Sequence, residues 1–152
     1  MSELLFLDAL DIQEIHDAIL ESEPGLKGMN SDKLEAVAGR VKNIYSYSDE
    51  IDTAFSLAAH YAVAIAKGHA FADGNKRTAF VSLVTVLDIN GFPVPEKISE
   101  TIMNSDSWAD IMVKVAEGTI NAKLLTSTVA LTYMVGAFGV GIAGIAQIMS
   151  NK

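Results

Sequence analysis

The run His69-Ala-Phe-Ala-Asp73-Gly74-Asn75-Lys76-Arg77-Thr78 concentrates more chemistry than any other part of the chain. An imidazole, a carboxylate, a carboxamide and two cations fall within nine positions, with a glycine among them. Those groups suffice to hold a phosphate chain with its metal and to activate a hydroxyl beside it. A neutral imidazole at His69 can take a proton from an incoming hydroxyl near neutral pH. Asp73 can ligate Mg²⁺, which usually takes one or two carboxylates and keeps several waters. Lys76 and Arg77 supply positive charge for phosphate oxygens, and Gly74 removes a Cβ where those oxygens must approach the backbone. Such a site transfers a phosphoryl-type group mainly by positioning and electrostatics.

The flanking residues say where this run must sit. Gly68 is a natural stop for the helix before it, and Gly74 a natural start for the next. His69 then lies in the connecting loop, and Asn75, Lys76 and Arg77 form the first turn of the second helix. That turn has unpaired backbone N–H groups and partial positive charge, so two cations there are locally unfavourable. A bound anion would restore the balance. The run is not a Walker A loop, because Asn75 separates Gly74 from Lys76 and no glycine stands at the upstream spacing. Taken singly, each residue has a plainer role: Asp73 as an N-cap, Lys76 and Arg77 as a solvated face, His69 as a loop histidine. Their combination in this order at a helix start is what structure alone does not explain.

The elements around the run are helical. Ile12, Ile15, Ile19 and Leu20 are spaced as one helix face within Asp11–Ser22. Pro24, Gly25 and Gly28 punctuate the next stretch. Ser31-Asp-Lys-Leu-Glu35 predicts a capped helix start at Ser31, running to about Tyr45. Thr53–Lys67 is rich in alanine, with Phe55, Leu57, Tyr61 and Ile65 on interleaved faces. Thr78–Asn90 contains many β-branched residues, but its length and all-round apolar character predict a central helix rather than a strand. Asn90-Gly91 ends it, and Pro93 and Pro95 fix an extended loop. Helices over about Ser107–Glu117 and from about Asn121 complete the chain. The fold class is all-α, with six or seven helices and at most a short hairpin.

Composition sets limits. The 152 residues suffice for one domain with a core, and half of them are hydrophobic. The formal net charge of −8 disfavours global attraction to nucleic acid or anionic lipid. The chain has no cysteine, which excludes disulfides and thiolate metal sites and fits a reducing cytoplasm. Acidic residues interrupt the apolar start, so no secretory signal is visible.

His69 to Arg77 resembles the signature HxFx(D/E)xN(G/K)R of the Fic/Doc family, and Lys76 after Asn75 looks like its Doc branch. Ile15-His16-Asp17, Gly25-Leu-Lys-Gly28-Met, Gly39-Arg40-Val41 and Thr78-Ala79 are similar to further Doc-type elements. The resemblance covers residues 4 to 135 or so, with residues 1–135 as the catalytic domain and 136–152 as an apolar, glycine-rich extension. It implies a compact helical Fic fold, with His69 as general base and Asp73 as Mg²⁺ ligand. Gly74, Asn75, Lys76 and Arg77 would surround the phosphates of ATP or another nucleotide. Doc-type proteins phosphorylate a translation elongation factor, arrest growth and are neutralised by an antitoxin in trans. Fic proteins with glycine in place of the lysine usually transfer AMP. Lys76 therefore favours a kinase, while Gly74 and Ala70 depart from the Doc and Fic patterns respectively. A third possibility is a non-catalytic interaction module with this fold. Neither Ser31-x-x-x-Glu35 nor Ser46-x-x-x-Glu50 completes the family's inhibitory (S/T)xxxE(G/N) string, so restraint is expected from a separate antitoxin segment docked in an apolar groove between helices.

Other residues have milder expectations. His16 is expected to be structural, with a supporting role at the site conceivable from the family match. His60 is expected at the core or its boundary, Arg40 in solvent and Trp108 in the core. The uncharged tail Val135–Met149 is too short to span a bilayer unless it recruits Leu124–Tyr133. Its four glycines lower helix propensity. Packing on its own domain or on a second subunit is the preferred expectation, through small residues such as Ala137, Gly141, Gly139 and Ala143. Membrane attachment is the lesser one, and a cytoplasmic location follows.

Overall fold

The structure, a computed structural model, describes residues 3–22, 24–95 and 107–134. Within them the chain forms six helices: α1 (Ala9–Ser22), α2 (Ser31–Tyr47), α3 (Ala54–Gly68), α4 (Asn75–Ile89), α5 (Ser107–Glu117) and α6 (Ala122–Met134). The all-α class expected from the sequence is the observed one. Among the described residues no hairpin forms. A single antiparallel bridge joins Met29 to Phe71 instead.

α3 is the hub. Every residue from Ala54 to Ala62 is buried, and the helix packs against α2, α4, α5 and α6. Its alanines let those neighbours approach closely, while Leu57, Tyr61 and Ile65 fill the spaces between them. Thr53 caps it with a reciprocal capping box: its hydroxyl accepts from Ser56 N–H, and the Ser56 hydroxyl accepts from Thr53 N–H. α4 packs along α3 with Ala79, Phe80, Leu83, Val86 and Leu87 buried. The β-branched run is thus helical, its branched side chains serving a core helix.

Two expected boundaries shift, each for a physical reason. The cap of α2 is Asn30 rather than Ser31, with Asn30 Oδ1 accepting from Lys33 N–H at 3.0 Å. Asn30 N–H donates to the Ala70 carbonyl at 2.7 Å, holding Asn30 extended, so the helix begins one residue earlier than the serine suggested. Gly68 does not occupy the left-handed cap position of α3. It stays helical, and His69 takes that conformation at φ 50°. Gly68 is needed for closeness instead: a Cβ there would lie 2.5 Å from Val37 Cγ2, where α2 crosses α3.

The segment before α1 is fastened by side chains. The Tyr61 hydroxyl donates to the Leu7 carbonyl at 2.7 Å and accepts from Leu7 N–H at 2.9 Å. Asn90 does the same for Leu5. Burial pushes the Tyr61 hydroxyl up to about 12, so it keeps its proton for this bond. The expectations for the tail over 135–152 lie outside the described residues. Among the described residues no helix is long and apolar enough to cross a membrane.

Candidate active site

The loop between α3 and α4 is built by three constraints. His69 turns the chain left-handed directly after α3. Phe71, buried, is pinned to the connector between α1 and α2: Asn30 N–H donates to the Ala70 carbonyl, and Ala72 N–H donates to the Gly28 carbonyl at 3.0 Å. Gly74 then turns left-handed at φ 82° and starts α4. A residue with a Cβ pays a conformational penalty at such a position, so glycine serves the backbone here.

Asn75 closes the loop from within. Its carboxamide Nδ2 donates to the Phe71 carbonyl at 2.8 Å, and its Oδ1 accepts from Phe71 N–H at 3.2 Å. The side chain is therefore engaged in shaping the loop. What Asn75 offers to a ligand is its backbone N–H at the first turn of α4, where no side chain of the described residues caps the helix.

Asp73 is exposed and held by backbone donors. Its Oδ1 accepts from Gly74 N–H at 2.9 Å and its Oδ2 from Leu26 N–H at 3.2 Å. It is not the N-cap of α4, a position that Gly74 fills. Its carbonyl is bonded too: His16 Nε2 lies 2.8 Å from it. A carbonyl only accepts, so Nε2 carries the proton. The His16 ring is buried, stacks on Phe71 at 3.8 Å between centroids, and lies 3.2 Å from the Asp17 carboxylate through Nδ1. The sequence assigned His16 mainly to structure. The fold puts it under the candidate metal ligand, and the adjacent Asp17 was the available signal.

Arg77 is half-buried with its guanidinium 5.1 Å from the centre of the Trp108 ring, so α5 aims a cation of α4. Trp108 is in the core, as expected, and has this second task that no spacing in the sequence could reveal. Lys76 is exposed.

These pieces meet in one cavity of about 390 Å³, whose wall includes His69, Asp73, Gly74, Asn75, Lys76 and Arg77. All six residues singled out by type and spacing thus border a common space. Leu20, Ala66 and Trp108 add apolar wall. Among the described residues no three potential ligands cluster to hold a metal by themselves. The site fits a cation that arrives with phosphate oxygens and takes one protein carboxylate, as Mg²⁺ commonly does.

The profile of the Fic/DOC family matches residues 6–87, more than half of the chain. The chain belongs to the Fic/DOC family. It is also 37% identical over 120 residues to the protein kinase doc of Escherichia phage P1, a match covering 78% of this chain and 88% of that protein. The family region takes in α1, its connector, and all of the His69–Arg77 loop. It therefore contains both His16 and the carboxylate His16 supports.

Proposed function

We propose that this Fic/DOC protein is a Doc-like transferase that moves a phosphoryl group from ATP, or another nucleotide, to a hydroxyl of a target protein. The observation that carries the proposal is the convergence of His69 and the Asp73–Arg77 turn on one cavity. The first turn of α4 with Lys76 and Arg77 would hold the phosphates, and Asp73 would ligate Mg²⁺. Bound magnesium would neutralise charge building on the phosphate oxygens. His69 would take the acceptor hydroxyl's proton as its oxygen bonds to phosphorus and the bond to the departing nucleotide breaks. The imidazole is exposed at the loop, where a protein acceptor can reach it.

Lys76 and the name of the phage relative support phosphoryl transfer. Gly74 keeps AMP transfer as the second reading. ATP labelled at the α- or the γ-phosphate, incubated with the full chain and its acceptor, separates the two. Label transferred from γ supports the kinase; label retained only from α overturns it. Mass spectrometry of cellular proteins after induction names the acceptor, for which a translation elongation factor is the leading expectation. In His69→Ala, growth arrest should vanish with folding intact, whereas a purely binding module would remain toxic.

A toxin of this kind needs a separate antitoxin. Phe6, Ile15, Ala18 and Ile89 line an apolar groove of about 420 Å³ between α1 and the end of α4, edged by Asp11 and Glu14. That groove suits a docked segment of such a partner. Failure to recover a small partner from the native operon by pull-down would count against it.

A further inference from the structure

A second groove, of about 450 Å³, runs between α2 and α3. Its apolar lining comes from Val37, Val63 and Ala64; Lys33 and Arg40 stand along it, and Lys67 borders its end, with Nζ beside Gly118 just past α5. Among the described residues no acidic side chain lines it. The three cations are exposed, and among the described residues none forms an ion pair. Glu50 shares the neighbourhood of His60 with Arg40 but does not line the groove. In a chain of net charge −8, a channel whose described lining holds three cations and no acid is a local reversal of sign.

The groove also has a direction. Lys67 and Gly68 line it, while Ala66 and His69 line the active-site cavity, so the last turn of α3 separates the two. Anything lying along the groove ends beside the candidate base. Lys33 and Arg40 are seven residues apart on one helix, a rise of about 10 Å. Carboxylates three residues apart in an extended, polyproline-II-like peptide share one face and span a similar distance, about 9 Å. An apolar floor with point charges along it matches a peptide carrying both acidic and apolar side chains. A nucleic acid or anionic membrane would meet the repulsion of the whole chain.

We propose that this groove docks an acidic, extended segment of the protein acceptor and steers its hydroxyl to His69. The inference rests on the transferase reading for its occupant, and it names what that reading leaves open: how the acceptor is recognised. Charges of this exposed kind govern capture and salt dependence more than the chemical step.

The test uses the full chain and a labelled twelve-residue peptide with glutamate at every third position and valine or alanine between. A control peptide has glutamine in place of each glutamate. Fluorescence anisotropy should show the glutamate peptide binding at least tenfold tighter at 50 mM salt, with the advantage shrinking at 300 mM. The Lys33→Glu, Arg40→Glu, Lys67→Glu triple variant should lose that advantage, while His69→Ala keeps it. Equal binding of both peptides, or undiminished binding to a triple variant shown to be folded by circular dichroism, overturns the proposal. A milder triple change to glutamine serves if the reversal variant does not fold, with the same two readings.

Cellular modification gives the second arm. The triple variant should modify the acceptor at a KM raised tenfold or more, with Mg²⁺-ATP affinity unchanged. Modification at the wild-type KM overturns docking and leaves the transferase reading standing. No transfer by the wild type, with peptide binding intact, defeats the transferase reading instead. Two results assign the groove to another occupant and also overturn the proposal. One is a dimer that only the triple variant dissolves. The other is loss of antitoxin binding at an unchanged KM for the acceptor.

Discussion

His16 Nε2 lies 2.8 Å from the Asp73 carbonyl, joining α1 to the active-site loop across 57 positions of sequence. The contact is reinforced by the parallel stack on Phe71, with ring planes 6° apart. One buried side chain thereby fixes both the apolar anchor of the loop and the backbone of its only carboxylate. His16→Leu should keep the volume and lose the donor. We expect Mg²⁺-ATP to bind about tenfold more weakly, the equivalent of one lost hydrogen bond, with His16→Gln intermediate. Titration calorimetry on the folded variants checks this. Equal affinity of His16→Leu and wild type would show that the loop holds itself.

His69 occupies left-handed backbone without being glycine. That conformation costs a residue with a Cβ about 1–2 kcal/mol. His69→Gly should therefore be more stable than His69→Ala by about 1 kcal/mol in urea unfolding, although both lose activity. The histidine is retained at a stability cost, as expected where a side chain serves chemistry.

At Gly68 the risk is steric. A methyl group there meets Val37 Cγ2 at 2.5 Å, where the buried side of α2 crosses α3. Gly68→Ala should destabilise the protein by about 1–3 kcal/mol despite alanine's better helix propensity. Thermal unfolding of Gly68→Ala alone and with Val37→Ala tests it: the second change should recover part of the loss.

Much of this arrangement was legible from residue order. The six helices follow from apolar spacing and from glycine, proline and asparagine punctuation. The shared cavity follows from His69, Asp73 and Arg77 being close in sequence. Two kinds of fact were not legible. Glycine can mark a helix end or a close approach, and residue type does not distinguish them; Gly68 serves the second purpose and passed the turn to His69. Long-range support was also hidden. Trp108 beneath Arg77 and His16 beneath Asp73 depend on helix packing, which no local pattern encodes. The loop-closing bonds between the Asn75 carboxamide and the Phe71 backbone are likewise visible only in three dimensions.

Thr78 Oγ1 and Ser82 Oγ are buried in α4 and have no hydrogen-bond partner among the described residues. A buried hydroxyl left unpaired is a net loss, so removing it is tolerated well. Thr78→Val and Ser82→Ala should each be neutral or stabilising by up to about 1 kcal/mol in guanidinium unfolding. A loss above that range would show that these hydroxyls have partners in solution.

His60 is buried on α3. Burial holds its imidazole below the usual 6.5, with Arg40 adding to the effect and Glu50 opposing it. The unfolded chain then binds a proton more readily than the folded one, so stability should fall as pH drops through 6.5 and be unaffected well above it. His60→Gln should flatten that part of the profile. Denaturation midpoints from pH 7.5 to 5 provide the comparison, and parallel profiles would contradict it.

Leu26 N–H donates to the Asp73 carboxylate at 3.2 Å, the connector's one hydrogen bond to that side chain among the described residues. A cation drawing on the same oxygen competes for it. Loading the site would therefore slacken the stretch around Leu26, and stiffening that stretch would make loading harder, by equal free energies. A dye attached near Lys27 would brighten or dim with occupancy, turning the connector into a gauge of the pocket it borders.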